Sequence, residues 1–266
     1  MREKKLITIP DRFRNLIKDL ALGAGEILLK HYKTDIKMEL KGEINPVTIA
    51  DRESEDFIIG EIRRRFPVHS ILAEETGGDI GKSEWLWVID PLDGTTNYAH
   101  HYPAFCVSIA LFYNDKQALG VIFHPLLKEF FYAERGGGAY LNDRQIRVST
   151  VDSLGRAFLT TGFSYDVHKV VDDNIDNFRA FIKRSLAIRR GGSAALDLAY
   201  TACGRFDGFW EMRLHPWDTA AGILLLEEAG GRVSTFDGGA FDIYKSEIVA
   251  SNGLIHEEMV KVLVKN

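Results

Sequence analysis

The sequence predicts a mixed α/β fold, and two observations lead to this prediction. Segments with apolar residues at three- and four-residue spacing alternate with short runs of β-branched and aromatic residues. No repeat, low-complexity stretch or linker interrupts this alternation along the 266 residues. A hydrophobic fraction of 45% beside 27% charged residues excludes intrinsic disorder. We therefore expect one continuous fold with two consecutive halves, residues 1–150 and 151–266.

The first half begins with two predicted helices and continues with strands. One helix opens near Asp11, directly behind Pro10, and the second follows Thr48, which resembles a capping box together with Asp51. The residues between 135 and 143, rich in glycine and asparagine, predict a pair of turns within a meander. Strands are predicted at 69–73, 85–90, 105–113, 118–124 and 129–133.

The second half alternates more regularly between strands and helices. Strands are predicted at 156–162, 186–190, 206–211 and 247–251. Helices are predicted at 172–183, 193–202, 216–229 and 254–264. This alternation is typical of α/β folds in which helices pack against the faces of a sheet.

Charge and cysteine content limit the partners. The net charge of −5 provides no overall basic field for nucleic acid or anionic lipid. Local basic clusters at 63–65 and 184–190 are ordinarily solvated surface charge. Cys106 and Cys203 show no zinc or disulfide spacing, which indicates buried thiols in a reducing compartment. Polar residues follow the N-terminus before any long apolar run, so we expect a cytoplasmic protein with neither a membrane nor a nucleic-acid partner.

The segment 87–97, with the sequence WVIDPLDGTTN, carries most of the chemistry. Its apolar strand reaches Asp90, Pro91 is expected to end the strand, and Asp93 follows. At this spacing a turn can bring both carboxylates and the carbonyl of Leu92 to one side, and such hard oxygen donors suit Mg²⁺ or Ca²⁺. The competing interpretation is ordinary helix capping by Asp93 and a solvated carboxylate at Asp90.

Further features of the sequence bear on the same site. The amides of residues 94–96 are expected at a helix N-terminus, where a phosphate binds favourably. Glu74 closes an apolar strand, and Asp218 lies in the first turn of a helix, where an acid also favours the helix dipole. The aspartates of haloacid-dehalogenase phosphatases are two positions apart, whereas Asp90 and Asp93 are three apart. This spacing disfavours a covalent aspartyl-phosphate intermediate.

Taken in order, these elements resemble the inositol monophosphatase family. Segment 87–97 is similar to its W-V-I-D-P-[LI]-D-G-T-T-N signature, and segment 215–222 to its C-terminal W-D-x-A-[AG]-G signature. Shorter elements of the family are matched at 47–51, 73–76, 130–142 and 189–195, so the resemblance covers most of the chain. It implies a layered αβαβα sandwich, as in the sugar-phosphatase superfamily, and a homodimer.

The resemblance implies a set of Mg²⁺ ligands, two to three ions in each active site. Asp90 would bridge two ions, Glu74 and the Leu92 carbonyl would complete the first site, and Asp93 and Asp218 the second. A third ion would lie near Glu74, held largely by waters, and the segment 33–45 is a candidate for closing over it.

The resemblance also implies catalytic and substrate-binding residues. Thr95, paired with Asp51, would orient the attacking water, with Glu74 at the third ion. The amides of Gly94 and Thr95 would hold the phosphate. The polyol would contact Asp93, Gly192, Ser193, Ala194 and Glu211. A solvated strand end is the competing interpretation of Glu211.

The function implied is a Mg²⁺-dependent phosphomonoesterase that hydrolyses myo-inositol 1-phosphate or a related polyol phosphate by direct attack of water, with inhibition by lithium. Two related activities stay open: a dual inositol monophosphatase and fructose-1,6-bisphosphatase, and a 3′-phosphoadenosine 5′-phosphate phosphatase. Arg189, Arg190 and Arg213 are either surface ion-pair partners or contacts for a second phosphate. A docking protein that retains the fold without the activity is the alternative from another class.

Overall fold

The computed structural model describes residues 9–34, 38–41, 45–171 and 173–264. Within these ranges the helices are α1 Asp11–His31, α2 Ile49–Arg65, α3 Thr95–Ala99, α4 Ile175–Ile182, α5 Ala194–Ala202, α6 Pro216–Glu228 and α7 His256–Leu263. The first strands are β1 Glu39–Lys41, β2 Asn45–Val47, β3 Ser70–Ala73, β4 Trp85–Asp93, β5 Cys106–Tyr113, β6 Lys116–His124, β7 Glu129–Glu134, β8 Gly138–Leu141 and β9 Arg144–Gln145. The later strands are β10 Phe158–Thr161, β11 Ala187–Arg189, β12 Gly208–Met212, β13 Arg232–Ser234 and β14 Glu247–Ser251.

Two sheets and three layers of helices alternate. The larger sheet has the order β3-β4-β5-β6-β7-β8-β9, and only β3 and β4 are parallel in it. The smaller sheet has the order β11-β10-β12-β14-β13, with β10 parallel to both of its neighbours. The third sheet, β1 with β2, is a separate antiparallel pair.

Three hydrophobic clusters hold these layers together. The first packs α1 and α2 against one face of the larger sheet, and the second packs α5 and α6 between the two sheets. The third packs α4 and α7 against the outer face of the smaller sheet. The order is therefore helices, sheet, helices, sheet, helices, which confirms the αβαβα sandwich. Its division into halves at residue 150 stays a prediction.

Strand β4 does not end where the sequence predicted. It continues through Pro91 to Asp93, and its register against β5 shifts between Asp90 and Asp93. The prediction that Pro91 ends the strand was wrong because the irregularity leaves Pro91 without a paired residue on β5, so its missing N–H weakens no ladder. Asp93 pairs again with Cys106 beyond the bulge.

Other predicted boundaries differ by a few residues. Helix α4 begins at Ile175 rather than 172, because Asn174 before it has a left-handed φ of 68°. Residue 172 itself lies outside the described residues, as do 35–37 and 42–44 of the segment expected to close over the third ion. The short strands β1, β2, β8, β9 and β13 were not predicted. No described helix is both long and apolar enough to cross a bilayer.

Candidate active site

A cavity of about 1030 Å³ lies at the end of β4, between the two sheets' loops. Eight of the twelve metal, catalytic and substrate-binding residues implied by the family resemblance line it: Glu74, Asp93, Thr95, Gly192, Ser193, Ala194, Glu211 and Asp218. The other four, Asp51, Asp90, Leu92 and Gly94, are buried and do not line it. The predicted residues therefore lie together. Eight of them form part of the cavity wall, and the other four lie buried behind that wall.

Asp90 lies in the buried layer behind the cavity wall. Its side chain is 1% exposed, and its Oδ1 accepts a hydrogen bond from the Leu92 amide at 3.0 Å inside the β4 bulge. Burial, followed by the negative charges of Glu74, Asp93 and Asp218, raises the pKa of Asp90 well above its ordinary value. The same three acids that the sequence predicted as ligands are thus the electrostatic neighbours of Asp90.

Asp93 joins the two sheets. Its Oδ2 accepts hydrogen bonds from the Ser193 hydroxyl at 2.6 Å and the Ala195 amide at 2.7 Å, at the N-cap and in the first turn of α5. Burial raises the pKa of Asp93 to about 6, although these hydrogen bonds lower it. Since Ser193 and Ala195 occupy Oδ2, Oδ1 is the oxygen left to face a ligand.

Gly94 is required by the backbone at the end of β4. Its φ is +93°, and an added Cβ would lie 2.8 Å from the carbonyl oxygen of Ala104. The chain can therefore enter α3 at this point only through a residue without a side chain. The first residue of α3 is Thr95, which lines the cavity.

Thr95 and Asp51 form the hydrogen-bonded pair that the resemblance implied. The Thr95 hydroxyl donates to Asp51 Oδ1 at 2.9 Å, and Asp51 Oδ2 accepts from the Thr48 amide at 2.8 Å and the Thr48 hydroxyl at 2.6 Å. Burial raises the pKa of Asp51 to about 6. The capping box at Thr48 is present as predicted, so Asp51 both caps α2 and holds Thr95.

Two further buried polar residues on α2 support the site and were not found from the sequence. Glu55 accepts the amides of Glu75 and Thr76, each at 2.9 Å, and thereby fixes the turn that carries Glu74. The Ser54 hydroxyl donates to the Pro91 carbonyl at 3.0 Å. A signal was available, because the buried apolar face of α2 continues at helical spacing into these positions.

Asp218 occupies the first turn of α6. Pro216 begins the helix, and Asp218 Oδ2 accepts the His215 amide at 2.6 Å. Burial, followed by the charge of Asp93, raises the pKa of Asp218 to about 7. The helix-start interpretation of Asp218 is therefore correct, and it coexists with a position on the cavity wall.

Glu211 lies on β12, on the wall built by the smaller sheet. It is 8% exposed, so the interpretation as a solvated strand end was wrong. Burial, followed by the charges of Asp197, Asp218 and Asp93, raises its pKa well above the ordinary value. An added Cβ on Gly162 would lie 2.1 Å from Glu211 Oε1, so the carboxylate rests against a bare backbone.

The carboxylates around the cavity are candidate ligands for a divalent ion. Within the described ranges, no three acidic, histidine or cysteine side chains are already arranged to hold a metal ion. The carboxylates of Asp90, Asp93 and Asp218 nevertheless repel one another, which contributes to the raised pKa values. Hard carboxylate and carbonyl oxygens suit Mg²⁺, and a cation among them would remove that repulsion. The residues therefore fit Mg²⁺.

Further residues line the cavity, and two of them, Tyr165 and Asn97, were given no role from the sequence. Tyr165 lines the cavity, and its hydroxyl is 3.3 Å from the Thr96 hydroxyl. Asn97, Arg190 and Arg213 also line the cavity. Tyr165, Arg190 and Arg213 come from separate loops and no local spacing relates them to the acids, whereas Asn97 lies four residues after Asp93 within segment 87–97.

Known proteins resemble this chain over nearly its whole length. Residues 10–266 match the profile of the inositol monophosphatase family. An inositol-1-monophosphatase from Synechocystis sp. is 44% identical over 92% of this chain and 86% of its own. A Nus factor SuhB from Pseudomonas aeruginosa is 44% identical over 90% of each chain.

Solved structures agree with these sequence relatives. The inositol monophosphatase from Anabaena (Nostoc) superposes with a TM-score of 0.88 at 44% identity, covering 96% of both chains. An IMPase/NADP phosphatase complexed with Mg²⁺ and phosphate superposes with a TM-score of 0.84 at 26% identity, again over 96% of both chains. The chain therefore belongs to the inositol monophosphatase family, a family of phosphatases.

Proposed function

We propose that this protein is a Mg²⁺-dependent phosphomonoesterase that hydrolyses myo-inositol 1-phosphate or a related polyol phosphate by direct attack of water. One observation carries the proposal. Glu74, Asp93 and Asp218 face one cavity with Asp90 buried behind them, and Glu211 lies on the wall contributed by the other sheet. A cation-binding side and a hydroxyl-accepting side therefore share one space, as hydrolysis of a polyol phosphate requires.

The ligands proposed for Mg²⁺ are Glu74, Asp90, the Leu92 carbonyl, Asp93 and Asp218, with two to three ions in each site. Bound ions would lower the pKa of the attacking water and offset the charge of the phosphate and of the leaving oxygen. Among the chain's own groups, Glu55 holds Glu74 in place through the backbone of its turn.

The pair of Thr95 and Asp51 orients the nucleophile. The Thr95 hydroxyl donates to Asp51 Oδ1 at 2.9 Å, with the Leu92 carbonyl as a second acceptor at 3.1 Å, so the lone pairs of Thr95 Oγ1 are left to accept from a water. Thr95 lines the cavity, whereas Asp51 is fully buried and acts through it. The phosphate is held at the amides of Gly94 and Thr95.

The polyol lies against the smaller sheet. Glu211 accepts hydrogen bonds from its hydroxyl groups, and the loop of Gly192, Ser193 and Ala194 borders the ring. Asp93 reaches the same ring, since the loop residue Ser193 holds it in position.

The variant Asp93→Asn tests the metal assignment. Phosphate release from myo-inositol 1-phosphate with Mg²⁺ should fall on the order of 1,000-fold or more, and calorimetric titration should show weaker Mg²⁺ binding. Asp237→Asn is the matched control, because Asp237 also accepts an amide hydrogen bond, from Gly239, but does not line this cavity. Full turnover by the Asp93 variant would contradict the assignment.

A substrate with a second phosphate is the second candidate, and Arg190 and Arg213 favour it. Both line the cavity, although Arg213 also contacts Asp166 at 3.6 Å. A panel of myo-inositol 1-phosphate, fructose 1,6-bisphosphate and 3′-phosphoadenosine 5′-phosphate, each with Mg²⁺ and with added Li⁺, compares kcat/KM among the activities left open. Higher kcat/KM on a bisphosphate would replace the first candidate with the second.

A docking function has less support. The name of one relative, Nus factor SuhB, is the reason to consider a docking function. In the basic cluster at 63–65, however, the arginines already bind to groups of this chain. Arg63 donates to the carbonyls of Pro67 and His69, and Arg64 pairs with Glu61 at 2.6 Å. Release of no phosphate from any substrate of the panel would make docking the leading function.

The assembly and location proposed are a cytoplasmic homodimer. The family resemblance supports the dimer, and the two cysteines, which form no disulfide, are consistent with a reducing compartment. Analytical ultracentrifugation and cell fractionation test the two statements separately.

A further inference from the structure

The side chain of Asn97 connects the loop before β5 to the loop after β11. Asn97 lies on the short helix α3, and its Nδ2 donates to the carbonyl oxygens of Ala104 at 2.7 Å and Gly191 at 2.9 Å. The Gly192 carbonyl lies at 3.3 Å from the same nitrogen. Ala104 precedes β5 in the larger sheet, whereas Gly191 and Gly192 follow β11 in the smaller one. One amide group therefore bridges the loops of both sheets.

The loop is pressed closely against this amide. Gly192 has a φ of +80°, and an added Cβ would lie 3.1 Å from Asn97 Nδ2 and 3.1 Å from the guanidinium of Arg190. Only a residue without a side chain fits between these two groups in this conformation. The contact between Asn97 and the loop is thus built into the backbone and does not arise from two flexible side chains.

The other end of the same loop is attached to Asp93. The Ser193 hydroxyl and the Ala195 amide both donate to Asp93 Oδ2, at 2.6 and 2.7 Å. The loop is therefore fixed at two points, Asp93 and Asn97, which are both near the junction of β4 and α3. Between these points the loop forms the wall of the cavity with Gly192 and Ser193.

We propose that Asn97 is a positioning residue, whose amide fixes the 191–192 loop and so sets the shape of the wall that the polyol contacts. The inference rests on the proposed function for the identity of the substrate. Both acceptors are main-chain carbonyls, so an amide donor is the group that this position needs. Asn97 has no contact with the acids proposed to hold Mg²⁺ among its hydrogen bonds in the described structure.

The variant Asn97→Ala tests the proposal with two substrates. With Mg²⁺ present, kcat/KM for myo-inositol 1-phosphate should fall roughly 10- to 100-fold, mainly through KM, because the polyol wall loses its anchor. Hydrolysis of 4-nitrophenyl phosphate, which has no polyol, should change by less than about threefold. Equal losses on both substrates, or no loss on either, would overturn the proposal.

Hydrogen exchange provides a readout that does not depend on the substrate. In Asn97→Ala the amides of residues 192–195 should exchange about tenfold faster or more, because the loop is released at one end. Asn142→Ala is the matched control, since Asn142 also bonds to main-chain groups, of Phe130 and Lys128, far from the cavity. Unchanged protection of residues 192–195 in Asn97→Ala would refute the positioning role of Asn97, whichever phosphate the protein hydrolyses. If the wild-type protein does not hydrolyse myo-inositol 1-phosphate, only the proposed substrate is refuted.

Discussion

The contact between Gly162 and Glu211 leads to a sharp test of the polyol wall. An added Cβ on Gly162 would lie 2.1 and 2.2 Å from the two carboxylate oxygens of Glu211. To reach an ordinary contact distance of 3.4 Å, the carboxylate of Gly162→Ala has to retreat by about 1.3 Å. A displacement of about 1 Å in a binding group costs roughly 100-fold in rate.

We therefore expect kcat/KM for myo-inositol 1-phosphate to fall roughly 100-fold in Gly162→Ala, with a smaller loss, below about threefold, for 4-nitrophenyl phosphate. Steady-state kinetics on both substrates measures this. Gly60→Ala is the matched control, because Gly60 lies within α2 and an added Cβ meets nothing within 4 Å. That variant should keep its activity and gain about 0.5 to 1 kcal/mol in the free energy of unfolding.

A second substitution separates displacement of Glu211 from general damage. In Gly162→Ala combined with Glu211→Asp, the shorter side chain makes room for the new methyl group. The loss in kcat/KM of the double variant should therefore be smaller than the sum of the two single losses expressed as free energies. Full activity of Gly162→Ala would refute the argument, as would strictly additive losses in the double variant.

Two further expectations concern groups outside the cavity. Glu55→Gln should lower the free energy of unfolding by about 1 to 3 kcal/mol and weaken Mg²⁺ binding in calorimetric titration, because its amide cannot accept both backbone N–H groups of the turn at Glu74. His256, buried between two serine hydroxyls, has its pKa lowered to about 4 by burial. Its neutral form is thus favoured in the folded state, and the unfolded state binds a proton first as the pH falls below 6.5. Relative to His256→Gln, the wild type should lose about 3 kcal/mol of stability between pH 7 and pH 4, measured by urea unfolding.

Matched controls distinguish these effects from general ones. Glu61 is a glutamate on the same helix as Glu55, but it pairs with arginines at the surface, so Glu61→Gln should leave Mg²⁺ binding unchanged. His168 is exposed, so His168→Gln is the control for replacing a histidine at the surface. Wild-type Mg²⁺ affinity in Glu55→Gln would contradict the role given to Glu55. A stability difference between wild type and His256→Gln that does not vary with pH would contradict the role given to His256.

Local spacing in the sequence predicted most of the helices and strands and the oxygen donors of segment 87–97, whereas the rest of the site was implied by the family resemblance. Helices α1 and α2 were predicted because their buried residues recur at helical spacing, and the Thr48 cap follows from adjacent positions. The pairing of Asp93 with Ser193 spans 100 residues and has no local signal. The path of β4 past Pro91 was mispredicted because a bulge, which the proline rule does not consider, removes the need for its N–H.

The sequence does not predict the role of a glycine whose missing side chain leaves room for another group. Gly162 directly follows β10, and nothing in the sequence around it points to Glu211. Only the folded structure shows that the carboxylate of Glu211 occupies the space where a Gly162 side chain would be. The face of α2 that carries Glu55 was within reach of sequence reasoning, since helical spacing relates it to the apolar residues Ile58 and Ile62. The contacts between distant segments depend on tertiary packing and not on local propensity.

The double attachment of Asp93 has a consequence for how activity arises during folding. The hydrogen bonds to Ser193 and Ala195 join positions 100 and 102 residues apart in the chain. Contacts of such sequence separation form late, because the loop-closure entropy is lost before the contact stabilises the chain. A chain in which only the larger sheet has formed holds several of the acids but lacks the wall that orients Asp93. We therefore expect catalytic competence to arise only when the contacts between the two sheets are complete.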